Sequence, residues 1–308
     1  MTGWKRGFQS EFVPEWCVLA ILAVLDVLWA RAINLHVGIG WSDFLLLALA
    51  LSVMAALRMA HFRRGGLMAE YFALSLTTVS VVCVLSYVCL ASAGPLADSR
   101  LMAMDRALGF DWISGYRFVE AHPLLRKLLG LSYGSLCYQG LYFCVLLAVM
   151  NQRHRLREMF WLVLGCSLLA CAGALLVPAL GPAAAHGIGL TDGFIPVMQH
   201  LVSGRDLNFT LSQMTGVVSF PSFHTAMALA YAWAFRKTGP IGWGVIALNL
   251  VMLCAIPFFG GHYLSDMIAG GAAMLLALAV VKSAPALWRR ITGASASPES
   301  VAASAGAY

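Results

Sequence analysis

Residues 262–281 read HYLSDMIAGGAAMLLALAVV, a run in which His262, Tyr263 and Asp266 are the only titratable side chains. An α-helix of about 20 apolar residues spans the hydrocarbon core of a bilayer. Seven further apolar runs lie at about 16–35, 44–60, 71–93, 131–150, 160–177, 222–235 and 241–258. The composition agrees: 60% of the 308 residues are hydrophobic, 11% are charged, and the mean hydropathy is +0.80. A soluble domain carries about 25% charged residues. A water-soluble globule, a disordered chain and a nucleic-acid binder are therefore excluded. The expected fold is all-α: a polytopic membrane bundle of about eight transmembrane helices. Residues 1–70 form a two-helix addition, residues 71–283 a six-helix core, and residues 284–308 a disordered tail.

The net charge of +6 is a matter of orientation. With the N-terminus inside, thirteen of the twenty Lys and Arg fall on one side, among them Arg63, Arg64, Arg153, Arg155, Arg157 and Lys282. Six fall on the other, including Arg100, Arg106 and Arg205, and Arg31 lies within the first run. The positive-inside rule places both termini in the cytoplasm, and the expected setting is a bacterial inner membrane. Lys5 and Arg6 ahead of the first run, with Ala30-Arg31-Ala32 after it, have the outline of a cleaved signal, but Asp26 within the run favours a retained helix. All eight cysteines sit in apolar runs, so no disulfide framework or zinc site is read.

Two outward segments are long. In residues 94–130, Leu101, Met102, Met104, Leu108 and Phe110 suit an amphipathic helix lying flat on the membrane. Residues 178–220 are rich in Gly and Pro, and long loops in compact bundles are usually functional or mobile.

Ionisable residues inside membrane helices are costly and mark functional sites. His224, His262 and Asp266 all fall at the outward ends of their helices. His262 and Asp266 are four apart and share a helix face. A carboxylate there can hold the Nδ1 proton and leave the Nε2 lone pair free for attack, the base-and-orienter logic of a triad with imidazole as nucleophile. Gly260 and Gly261 allow close approach by a bulky ligand. In Ser219-Phe220-Pro221-Ser222-Phe223-His224-Thr225, Pro221 fits a first helical turn, whose free N–H groups suit a phosphate. His224 can protonate a leaving oxygen. The combination points to phosphoryl transfer with no metal and no cofactor.

Blander readings stand beside these. His262 and Asp266 can form a structural pair, and Ser222 can be a helix cap. His186 and His200 read as solvated. Arg205 is the candidate phosphate-binding cation, against a solvated loop charge. Asp98 and Asp105 beside Arg100 and Arg106 read as ordinary surface pairs. A serine hydrolase built on Ser222 has poor geometry, because Ser222 and His224 point to different helix faces.

Pro221-Ser222-Phe223-His224 resembles the Pro-Ser-x-His motif of the type 2 phosphatidic acid phosphatase superfamily, which also contains vanadium haloperoxidases. His262-x-x-x-Asp266 resembles the end of its third motif. The resemblance covers residues 71–281. It implies His262 as nucleophile, Asp266 as its orienter, His224 as acid, and substrate contacts from Ser222, Thr225, Gly261 and Arg205. The implied partners are the bilayer and a phospholipid or other lipid phosphate, with the site on the non-cytoplasmic face. Two departures stand out. Ala255 and Ile256 occupy the places of the third motif's Ser-Arg, and the first motif has no match. The Gly-His-Tyr-x-x-Asp form and Pro178-Ala179-Leu180-Gly181-Pro182 resemble the branch with inositol phosphorylceramide and sphingomyelin synthases. The resemblance implies a lipid phosphatase or phospho-headgroup transferase working through phosphohistidine. The missing basic residues prompt the alternative, a non-catalytic lipid-phosphate binder or transporter.

Overall fold

A computed structural model describes residues 12–59, 63–189, 194–205 and 207–292. Lys5, Arg6 and residues 293–308 of the expected tail lie outside the described residues.

The chain folds as α1 (Val13–Ala32), β1 (His36–Gly38), α2 (Trp41–Met59), α3 (Arg63–Ala91), α4 (Asp98–Ala107), α5 (Trp112–Glu120), α6 (Pro123–Gly134) and α7 (Leu136–Val149). It continues through α8 (Arg153–Leu176), α9 (Pro182–Ala185), α10 (Phe194–Ser203), β2 (Asn208–Thr210), a 3-10 turn (Leu211–Gln213), α11 (Phe223–Phe235), α12 (Pro240–Phe259) and α13 (Leu264–Thr292). The result is an all-α membrane bundle. Among the described residues, α1, α3, α8, α12 and α13 are long and apolar enough to cross a membrane.

Of the eight expected runs, five or six pass that test among the described residues. The run at 131–150 is divided between α6 and α7, which meet at 55°. Gly134-Ser135 sits at the break, a pair that commonly kinks helices. Ser135 is drawn into side-chain bonding there: its hydroxyl donates to the Ser132 carbonyl (2.6 Å) and accepts from Gln139 Nε2 (2.8 Å). Counting the bent pair as one span gives six. Helix α11 has 13 residues, a rise of about 20 Å against a hydrocarbon core of about 30 Å. Helix α2 runs 19 residues and is apolar from Phe44 to Leu57 in sequence. The tail also begins later than residue 284, because α13 stays helical to Thr292.

Helices α3, α8, α11 and α13 pack on one another around Leu74, Leu156, Met159, Leu162, Phe235 and Ala277. Ile21, Leu25, Leu28, Leu275 and Val280 are exposed. On a soluble protein such a surface would be a liability; on these helices it faces lipid. The terminal addition packs on α3, and a further link to the core is an element too short for any sequence pattern. His36, Val37 and Gly38 pair in parallel with Asn208, Phe209 and Thr210. Asp26 in α1 is 3% exposed, and neither of its carboxylate oxygens has a hydrogen-bond partner among the described residues. Arg31 forms no ion pair with it.

Carboxylates at the α8 N-terminal end are paired with cations. Glu15 takes Arg157 Nε at 2.5 Å and Trp161 Nε1 at 3.1 Å. Glu158 takes Lys282 at 2.6 Å, Arg236 at 3.7 Å and Trp233 Nε1 at 3.1 Å.

Candidate active site

The Ser222 and His262 segments meet where α11 and α13 begin. Helix α11 starts one residue later than the sequence pattern places it. Ser222 is its N-cap, with an extended backbone, and its hydroxyl accepts from the Thr225 amide (3.3 Å) and the Thr225 hydroxyl (3.1 Å). Pro221 therefore lies before the helix. Ser222 is 0% exposed, so the helix-cap reading of its hydroxyl is the one the structure displays, and Thr225 is committed to the same cap. The Ser222 amide donates to the Asp266 carbonyl at 2.9 Å. This leaves the amides of Phe223 and His224 as the unpaired donors of this terminus among the described residues.

Gly270 makes the meeting possible. A Cβ there would run into the Ser222 carbonyl oxygen and lie 3.1 Å from Thr225 Cβ. The first turn of α11 therefore rests directly on the backbone of α13.

His262 is 3% exposed and Asp266 0%. Nδ1 of His262 stands 3.4 Å from Oδ2 of Asp266, long for a hydrogen bond. The same Oδ2 accepts from the Tyr263 amide (2.9 Å) and the Ser219 hydroxyl (3.2 Å). Asp266 thus combines two jobs. From the third position of α13 it bonds back to the amide preceding the helix, as one arm of a capping box does, and it faces the imidazole. The ring centroids of His224 and His262 are 6.0 Å apart, inclined at 58°. Tyr133 of α6 stacks on His224 at 4.5 Å and 14°. Neither Tyr133 nor Ser219 stands out in the sequence, since a tyrosine in an apolar run and a serine in a polar loop are both unremarkable there.

Several expectations are corrected. Helix α4 does not lie free on the membrane surface. Leu101 and Met102 pack against Ala179, Phe220 and Tyr263, leaving Met104 and Leu108 facing outward. Asp98 and Asp105 are not surface partners of Arg100 and Arg106. Asp105 is 4% exposed and accepts from the amides of Leu264 (2.7 Å) and Ser265 (2.9 Å). Asp98 accepts from the amides of Leu180 (3.0 Å) and Gly181 (2.9 Å) and from the Tyr263 hydroxyl (3.1 Å). Adjacent opposite charges suggested local pairing, but the exposed guanidinium of Arg106 turns to Met102 Sδ instead (3.4 Å).

The close approach permitted at Gly260-Gly261 is taken by protein. Gly181, at φ +94°, lies so near the Gly261 carbonyl that a Cβ would overlap it, and a Cβ on Gly260 would stand 2.9 Å from the Tyr133 hydroxyl. Arg205 is exposed on the turn after α10, and the structure does not bring its side chain into the His224–His262 cluster. His186 is exposed and stacks on Trp112 at 5.7 Å, while His200 meets the edge of Phe209; neither joins the site. Among the described residues no group of three His, Cys, Asp or Glu is placed to hold a metal.

A family model described as "PAP2 superfamily" matches residues 99–280, more than half of the chain. No curated protein and no solved structure matches it.

Proposed function

The chain belongs to the PAP2 superfamily, whose membership points to phosphatase or phosphotransferase activity, and from that premise we propose a membrane enzyme that removes or transfers a phosphoryl or phospho-alcohol group on a lipid. The observation that carries this reading is the pairing of His224 and His262 at 6.0 Å, with Asp266 beside the second ring.

In this mechanism Nε2 of His262 attacks phosphorus while Asp266 holds the proton on Nδ1. The bond from phosphorus to the leaving oxygen breaks as His224, protonated beside the bound phosphate anion, gives that oxygen its proton. An acceptor hydroxyl, from water or from a second lipid, then attacks the phosphohistidine. His224 takes its proton, and the Nε2–P bond breaks. The unpaired amides of Phe223 and His224 at the positive end of α11 supply donors for the phosphoryl oxygens. The Lys and Arg bias of the eight apolar runs supports a site on the non-cytoplasmic face, with both termini inside.

Transfer between lipids gains support from the contact of Gly181 with Gly261, which joins the two segments resembling the synthase branch. Burial of His262 also limits access of water to the second step.

Incubation with a headgroup-labelled lipid mixture tests the proposal. Label appearing in a new lipid marks transfer, and label appearing as free phosphate or phospho-alcohol marks hydrolysis. Binding without turnover across the lipid panel would reject the enzyme in favour of a lipid-phosphate binder. His262→Ala should abolish turnover while the protein still inserts.

A further inference from the structure

We propose that α4 is the element that positions the His262 nucleophile, with Asp105 and Asp98 as its two positioning residues; the inference rests on the phosphoryl-transfer reading. The two aspartates are seven residues apart, so they lie on one face of α4, two turns from each other. Each reaches the chain beside His262 from a different side.

Asp105 acts on the residues that follow. The first amides of an α-helix have no partner within it, and α13 begins at Leu264. A helix commonly meets that need with its own N-cap side chain, but Tyr263 precedes Leu264, and its ring cannot fold back to cap. Asp105 fills the vacancy from another helix, with Oδ2 accepting from Leu264 and Oδ1 from Ser265. A carboxylate at a helix N-terminus is also favoured by the helix dipole. Asp105 is 4% exposed and has no cationic partner among the described residues, so these two amides are what satisfies it.

Asp98 acts on both flanks. It accepts from the Tyr263 hydroxyl, one residue after the nucleophile. It also holds the amides of Leu180 and Gly181, and Gly181 packs on the Gly261 carbonyl, one residue before it. Residues 261, 263, 264 and 265 are thus all referred to α4. Among the described residues the imidazole itself is held by the long contact to Asp266 (3.4 Å) and by the ring of His224. The backbone on either side therefore determines where Nε2 points.

The chemistry requires acid rather than amide. Asn at 105 would turn an NH2 donor toward a backbone N–H, so one of the two bonds would be replaced by a donor–donor contact. Misplacement of a reacting group by about 1 Å costs about 10²-fold in rate. Loss of an interaction that shapes only the transition state lowers kcat and leaves KM alone.

The test uses the full chain purified in lipid nanodiscs. Asp105→Asn should lower kcat about 10²-fold and leave KM within about twofold, and it should speed amide exchange in the peptide covering 261–268. Asp98→Asn, the milder variant, should move both readouts in the same direction by less. Asp105→Glu keeps the charge and both acceptors and should recover part of kcat. Glu158→Gln is the control for general destabilisation, because it breaks a carboxylate pair at the far end of α13. Full kcat in a folded Asp105→Asn protein would overturn the proposal. So would unchanged exchange over 261–268, or a kcat loss that Glu158→Gln reproduces. The exchange arm reads the contact whether or not a given lipid turns over, so failure of the positioning role is distinguishable from failure of the assigned reaction.

Discussion

The two ends of α13 bury carboxylates by opposite means. Near Lys282, Glu158 is surrounded by an ammonium, a guanidinium and an indole N–H, and Glu15 is met by Arg157 and Trp161 in the same manner. About 30 Å away along the helix, Asp98, Asp105 and Asp266 take backbone amides and hydroxyls, Oδ1 of Asp266 has no partner among the described residues, and the imidazole beside them is that of His262. A long Lys or Arg chain pins two side chains together and leaves the backbone free. An amide bond fixes the backbone itself. The first end is built to hold helices together, whereas the second is built to hold a short stretch of chain in one shape, with no cation paired to its carboxylates among the described residues. A phosphate arriving at the second end would meet histidines and helix amides.

That contrast can be broken most severely at the nucleophile. His262→Ala should reduce turnover by at least about 10³-fold, since removal of a covalent nucleophile leaves only binding and orientation. Melting temperature should change little, because the ring makes few polar bonds. Single-turnover assays with labelled lipid, read beside a thermal melt, check both halves. A variant keeping more than a tenth of the activity would remove His262 from the chemistry. Gly270→Ala comes next. Its new methyl would meet the Ser222 carbonyl, and overpacking of this kind costs about 1–3 kcal/mol. Because the strain falls between α11 and α13, kcat should fall with stability, by about tenfold or more.

At the other end the two quantities should separate. Lys282→Met leaves Glu158, 3% exposed, with Arg236 and Trp233 as its remaining partners. Removing one partner of a buried pair costs about 3–5 kcal/mol. Lys282 is half-exposed, which brings the figure toward the roughly 1 kcal/mol of a surface pair, and about 2 kcal/mol is expected. The melting temperature should drop while kcat and KM stay at the parental values. A clear loss of kcat would mean that the two ends are coupled through α13.

The sequence exposes one kind of information and conceals another. Apolar runs reveal the helices because burial in lipid requires length and composition, which any linear reading can count. His224, His262 and Asp266 are legible because a membrane tolerates few such residues, and the four-residue spacing of His262 and Asp266 is local. Helix α4 is concealed because its aspartates bond to amides of residues 180–181 and 264–265. Every residue but proline carries an amide, so no side chain at the receiving end signals the contact. The neighbouring arginines, one or two positions away, supply a false partner. The break at Gly134-Ser135 is muted by the apolar residues on either side, and three-residue strands fall below any usable period.

Ser222 is where the two readings of one residue can be separated, with the smallest expected effect. As a cap it accepts from Thr225 and faces no solvent. Replacing a capping serine by alanine costs about 1 kcal/mol. If capping is its whole task, Ser222→Ala should lower stability by that amount and change kcat/KM by less than about threefold, and Ser222→Asp, which also caps, should restore the melt. If the hydroxyl instead contacts phosphate, Ser222→Ala should cost tenfold or more in kcat/KM at nearly constant stability. Ser222→Asp would then be worse than alanine, because it sets a carboxylate against the phosphoryl oxygens. The aspartate variant is the sharper measurement: the two roles predict opposite signs for it, so a small effect still decides between them.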